Sequence, residues 1–192
     1  MKLLRCRFDV SLPRGGAVRI RPVGPWAKRH LVEGLARTSA ATQTRRFGAP
    51  RVGFSAAELD YLTRIDGRDR MALGALDSAT GRGAGVARWT RDGADSAEAA
   101  ILIVDEFAPR GIGHWLFGGL IVAAKRAGLK RLHGETHADN QAMLGLAAAF
   151  GAETRYLGGG RTELALDLKP VWGATGAGPF LARIERHLES AA

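Results

Sequence analysis

A single cysteine, Cys6, stands in 192 residues. One thiol cannot close a disulfide within the chain, so no cross-linked framework is expected, and the composition fits a reducing cytoplasm. No apolar run approaches the length of a membrane helix, and no membrane is expected as a partner. Met1-Lys2-Leu3-Leu4 gives way at once to Arg5 and Arg7, which breaks any signal-peptide core. Acidic residues are scarce beside basic ones. There are 19 Asp and Glu against 28 Lys and Arg, a formal net charge of +9 with a pI near 10.7. That balance favours anionic partners. The cations are nevertheless spread along the chain, and the densest run, Arg64 to Arg70, is interrupted by Asp66 and Asp69. A nucleic-acid stripe needs clustering, so a solvated face is expected and nucleic acid is not the expected partner.

What is present is the makeup of a soluble globular protein: 46% apolar and 24% charged residues. Residues 1–16 read as an N-terminal lead-in, 17–168 as one domain and 169–192 as a C-terminal appendage. Ala17 to Pro22 is a plausible first strand. Trp26 to Arg37 follows as a helix with Trp26, Ala27, Leu31, Val32 and Leu35 as its buried stripe. Ala40 to Phe47 forms a second short helix. Ser55-Ala56-Ala57-Glu58 is a capping box that opens a third, to about Arg64. Arg70 to Asp77 and Ala84 to Thr90 pair as a hairpin, and Glu98 to Val104 continues the sheet. Leu116, Phe117, Leu120, Ile121 and Ala124 repeat at helical spacing, and Gly128 ends that helix. Arg131 to Thr136 is a strand and Asn140 to Phe150 a helix. Glu153 to Leu157 and Arg161 to Leu168 form a hairpin across three glycines. In the tail, Phe180, Ile184 and Leu188 give a short amphipathic helix that docks on the domain or on a partner, a homodimer included. Because the recognisable site residues precede Leu168, deleting the tail is expected to spare ligand binding.

The most informative stretch runs from Ile101 to His114. A β-branched apolar run breaks at Ala108-Pro109, two glycines follow one residue apart, and a helix opens. Strand, glycine turn and helix hold phosphate: backbone N–H groups crowd round the anion, and the helix N-terminus adds about half a positive charge. A Walker loop needs Gly-Lys-Ser/Thr, where this chain has Gly113-His114-Trp115. A dinucleotide fingerprint needs a third glycine, where this chain has Leu116.

With Gly111 and Gly113 in the glycine positions, the turn resembles the acyl-CoA loop of the GNAT N-acetyltransferase superfamily, although Ala108 stands where Gln or Arg is usual. The segment Ala138 to Leu144 is similar to the family's second anchor, in which an Asn opens the last helix. Thr42 to Asp66 and Ala97 to Leu144 look like the catalytic domain of bacterial protein-lysine acetyltransferases. The order of elements argues an α+β fold, and the resemblance implies a GNAT-like mixed, mainly antiparallel sheet flanked by helices.

The resemblance implies an enzyme that moves an acetyl group from acetyl-CoA to a primary amine, on a protein lysine or a small molecule, by direct attack. It assigns the donor's phosphates to backbone around Pro109, Arg110, Gly111, Gly113 and His114, with Asn140 and Met143 at the second anchor. A strand N–H near Ile103 or Val104 would polarise the thioester carbonyl. Glu98 matches the family's catalytic glutamate in position and is the expected base. Glu135, on the neighbouring strand, is the second choice, and Tyr156 is a candidate to protonate the departing thiolate. His133, Glu135 and His137 alternate on one strand and are also a metal-ligand set, but the expectation is a local coincidence and no metal. The alternative to an enzyme is a non-catalytic CoA-binding or protein-interaction module on the same fold.

Overall fold

A computed structural model of the chain describes residues 2–169 and 176–190. Strands β1 (Phe8–Ser11), β2 (Ala17–Pro22), β3 (Arg70–Asp77), β4 (Gly83–Arg91), β5 (Ser96–Ile103), β6 (Arg131–His137), β7 (Glu153–Gly158) and β8 (Arg161–Asp167) form one sheet. Its order is β1-β2-β3-β4-β5-β6-β8-β7. Neighbours pair antiparallel except β5 with β6, which run parallel. A parallel pair needs a crossover, here helix α4 (Ile112–Arg126). Helices α1 (Ala27–Ala36), α2 (Ala40–Phe47) and α3 (Ala56–Thr63) lie between β2 and β3. Helix α5 (Gln141–Ala149) follows β6, and α6 (Gly178–Ser190) closes the described chain.

Local chemistry sets the helix ends. Ser39 caps α2 by accepting from the Thr42 N–H at 3.3 Å, and Gly48 ends the helix at φ +83°. At α3 the capping box forms: Ser55 Oγ accepts from the Glu58 N–H, and the Glu58 carboxylate accepts from the Ser55 N–H. Arg51 pairs with the same carboxylate, and these donors hold the Glu58 carboxyl down at about 2.

Period-two alternation divides the helices between the two faces of the sheet. Ala87, Trp89 and Ala97 face a core that contains α4, α6 and the inner side of α5. Val86, Arg88, Ala100 and Leu102 face α1, α2 and α3. Helix α4 is buried without a break from Trp115 to Ala124, as expected of a helix covered on all sides. Gly118 and Gly119 permit that cover. A Cβ on Gly118 would stand 2.5 Å from Ile184 Cδ1 of α6, and one on Gly119 would stand 2.5 Å from Leu73 Cδ1 of β3.

Two expectations are corrected. The lead-in is part of the sheet: β1 pairs with β2 from Phe8↔Ile20 to Ser11↔Ala17. Cys6, Phe8, Val10 and Leu12 alternate into the core, with Arg7, Asp9 and Ser11 exposed between them, the period-two pattern of a half-buried strand. Burial pushes the Cys6 thiol up to about 11. Val32 does not belong to the buried stripe of α1; it is 45% exposed, and Gly34 with Leu35 faces the sheet instead. The tail, from Gly178, is seated on α4 through Leu181, Ile184 and Leu188, all buried. Part of the expected Gly- and Pro-rich tail, 170–175, lies outside the described residues. No helix among the described residues is long and apolar enough to cross a membrane.

Ile184 has no exposed surface and fills the space that Gly118 leaves. Ile184→Ala is therefore expected to lower the free energy of unfolding by about 2–5 kcal/mol, read as a fall in the denaturant midpoint. An unchanged midpoint would contradict the seating of α6 on α4.

Candidate active site

The parallel pairing between β5 and β6 is short. It holds Ser96↔Arg131, Ala97↔Leu132 and Glu98↔His133, and then the strands part. Beyond that point an open groove of about 1030 Å³ separates Ala99–Ile103 from Gly134–Thr136. Its floor and walls include Met143 and Leu146 of α5, Trp115 and Phe117 of α4, and Phe180 of α6. Phe180 thus makes the tail part of the groove wall, although the candidate site residues read from the sequence all precede Leu168.

The edge of β5 that faces the groove carries unpaired backbone groups. Val104 N–H donates to the Ala84 carbonyl at 3.0 Å. In an antiparallel ladder the bonded residues alternate, so the N–H groups of Leu102 and Ala100 also point to β4. Those of Ile101 and Ile103 point the other way, where β6 has left. The structure therefore keeps Ile103 as a candidate donor and removes Val104, whose N–H is taken. Ile101, which sequence reasoning did not single out as a donor, joins it.

At the end of the groove stands the glycine turn. A 3-10 turn, Asp105–Arg110, separates it from β5, so the glycines do not follow the strand directly. Asp105 anchors that turn to α2: its carboxylate accepts from Ser39 N–H and Thr42 Oγ1. Gly111 precedes α4 at φ +89°, a conformation that favours glycine, and no side chain caps the helix. The first N–H groups of α4 are left for another acceptor. A Cβ on Gly113 would lie 3.4 Å from Leu146 Cδ2 and 3.9 Å from Ile101 Cδ1, in the cleft between α5 and β5. His114 is exposed on the same turn and lines the groove. Pro109 and Arg110 lie in the 3-10 turn, with the Arg110 guanidinium over the Phe107 ring.

Positive charge gathers at this end from three elements. Arg110 is joined in the groove lining by Arg14, from the β1–β2 turn, and by Arg45 of α2. Arg14 and Arg45 escaped sequence reasoning because each comes from a separate segment without a motif. Asn140 caps α5, accepting from Met143 N–H at 3.3 Å and donating to Thr136 Oγ1 at 2.9 Å. That bond ties the start of α5 to β6 where the groove opens.

Glu98 is exposed on β5 at the last paired position and lines the groove. Its charge acts on two arginines, Arg46 of α2 and Arg88 of β4. Burial is the first cause that lowers the pKa of both guanidinium groups; repulsion from Arg88 adds to it at Arg46, and repulsion from Arg70 adds to it at Arg88. Glu135 also lines the groove, but its carboxylate is held by Arg161 at 3.1 Å. Tyr156 is not brought to the groove. It is 65% exposed on the edge hairpin, and its hydroxyl accepts from Gly160 N–H at 3.2 Å. His133 Nε2 sits 2.6 Å from Asp92 Oδ2. Among the described residues no group of three His, Cys, Asp or Glu side chains is arranged to hold a metal ion.

A splayed parallel pair, a free strand edge and an uncapped helix start define a GNAT-type acyltransferase fold. The chain belongs to the GNAT acetyltransferase family. It is 34% identical over 147 residues to Acetyltransferase Pat of Mycolicibacterium smegmatis, a match covering 76% of this chain and 44% of that protein. It is 32% identical over 144 residues to Acetyltransferase PA5475 of Pseudomonas aeruginosa, covering 73% of this chain and 77% of that one. The GNAT domain of S. lividans PAT superposes with a TM-score of 0.77 at 28% identity, over 84% of this chain and 96% of that one. This chain therefore spans less than half the length of the M. smegmatis relative it matches. No family model matches the chain.

Gly134 lets β6 stay close to β5 at Ala99, where the groove begins. A Cβ there would stand 2.7 Å from the Ala99 carbonyl oxygen, a backbone atom that cannot swing aside. Gly134→Ala is expected to force β6 from β5 and to cost about 1–3 kcal/mol, read by denaturant unfolding. A variant as stable as the parent would show that the strands are further apart at this point than described.

Proposed function

We propose that the chain is an acetyl-CoA-dependent N-acetyltransferase that joins donor and primary-amine acceptor in one ternary complex and transfers by direct attack. The observation that carries this reading is the pair of free donors on β5, Ile101 and Ile103, in line with an uncapped, arginine-flanked helix start. The residues fit the donor by chemistry. Arg14, Arg45 and Arg110 suit phosphates, and the N–H groups that follow Gly111 suit a pyrophosphate at a helix N-terminus. Gly113 leaves the cleft between α5 and β5 clear for backbone to approach it. The free edge of β5 suits the amide-bearing arm of the donor, which would lie there as an added strand. An N–H on that edge would stabilise the negative charge that develops on the thioester oxygen.

The acceptor must attack as a neutral amine. A lysine amine has a pKa of about 10.4 and is almost wholly protonated at neutral pH. Glu98 takes that proton, directly or through water, from the face of β5 that looks toward α1, α2 and α3. Glu135 is the weaker candidate because Arg161 already holds its carboxylate. Tyr156 is left without a role in this reading, since its hydroxyl stands outside the groove. Two relatives are named acetyltransferases, which supports the same chemistry.

Glu98→Gln keeps the size of the side chain and removes its basicity. Turnover at neutral pH is expected to fall by ~10²–10⁴-fold, with donor affinity little changed because the cradle lies at the other end of the strand. At high pH the mutant and parent profiles should converge, since more acceptor is already neutral. Thiol release followed across pH, with donor affinity measured by calorimetry, checks both parts. Wild-type turnover in Glu98→Gln would remove Glu98 as the base. Tight CoA binding with no thiol release from any amine would favour a non-catalytic CoA-binding module.

A further inference from the structure

A second, smaller cavity of about 80 Å³ lies on the other face of the sheet. It meets the groove at Arg46, Ala100 and Leu102, which line both. Its walls are mainly apolar, with Trp26, Leu35, Phe47 and Phe54 among them. Three polar groups interrupt them: Arg46, Arg88 and His30. Among the described residues neither guanidinium has a hydrogen-bond or ion-pair partner. Arg46 lies over the Phe47 ring and Arg88 over the Tyr61 ring, and both ring contacts leave the N–H forks free. The buried Nδ1 of His30 has no partner either.

A guanidinium cannot shed its proton and carries five donors. Two such groups, half-buried and without an ion-pair partner, favour an anion between them. The nearby acidic group is Glu98, and it makes no ion pair with either arginine. In the transferase reading Glu98 serves the amine. One carboxylate then faces two guanidinium groups, and a carboxylate on the acceptor would supply the second negative charge.

On that reading we infer that the acceptor is an amine that also carries a carboxylate, bound by Arg46 and Arg88 while the amine meets Glu98. The same two charges work against polycationic acceptors, because like charges disfavour an ammonium beside them. They also help the reacting amine to arrive neutral. The apolar walls suit the carbon chain between the two groups.

Thiol release from acetyl-CoA tests this with ω-amino acids from glycine to 6-aminohexanoate, each against its carboxamide. Lysine peptides flanked by Glu or by Gln, and spermidine, complete the panel. At least one carboxylate is expected to exceed its amide by about tenfold in kcat/KM, with spermidine the poorest acceptor. Arg88→Gln should bring that ratio to about one. Arg88 is the residue to change because it lines only the smaller cavity. A preference confined to free amino acids identifies a small-molecule acceptor; one confined to Glu-flanked peptides identifies an acidic protein segment. Ratios near one throughout, or a ratio that survives Arg88→Gln, would overturn the inference. If acetyl-CoA binds and no acceptor releases thiol, the N-acetylated ω-amino acids and their amides are titrated onto the CoA-loaded protein. Tighter carboxylate binding, lost in Arg88→Gln, supports the inference, and equal binding overturns it. Failure of acetyl-CoA to bind would refute the transferase reading itself.

Discussion

Three residue pairs of parallel ladder, and no more, join β5 to β6. The candidate site depends on that brevity. Had the ladder continued, the N–H groups of Ile101 and Ile103 would be used up within the sheet. Because it stops at Glu98, one strand presents free donors along its edge and a carboxylate at the point of divergence. The crossover that a parallel pair requires puts the start of α4 at the end of the same edge. Ligand binding at the carboxyl end of a strand, where neighbouring strands separate, follows from this geometry as it does in open α/β sheets.

The site's rigidity comes from the burial of α4. Two adjacent glycines let β3 press on one side of the helix and α6 on the other. With α4 fixed, Gly111 fixes where its first N–H groups point. Asp105 and Asn140 then tie the flanking segments down, the first to α2 and the second to β6. The groove is thus bounded by elements that each have a separate structural anchor. The arginines around it come from the β1–β2 turn, α2 and the 3-10 turn, which no single stretch of sequence could reveal.

Much of the fold was legible because its boundaries are chemical. The capping box at Ser55, Gly48 after Phe47 and Gly128 after α4 marked helix ends to within a residue or two. Gly111 and Gly113 marked the turn because few other residues serve there. β1 carried the alternation of a half-buried strand in Cys6, Phe8, Val10 and Leu12, but it is only 4 residues long and owes its place in the sheet to pairing with β2. Val32 was misplaced because a ten-residue helix with one Gly against the sheet turns by enough to leave it out. Val104 was misread because the parity of a strand's hydrogen bonds is set by its partner, here Ala84, and is invisible in one segment. Arg46 and Arg88 belong to no motif and lie in separate segments; only folding brings them to one cavity.

The free edge of β5 is the central claim, and amide hydrogen exchange with and without CoA tests it most directly. The account predicts that CoA slows exchange at Ile101, Ile103 and the first amides of α4, and leaves Val104 unchanged because Ala84 already holds it. Protection that spares Ile101 and Ile103, in a protein that binds CoA, would contradict it.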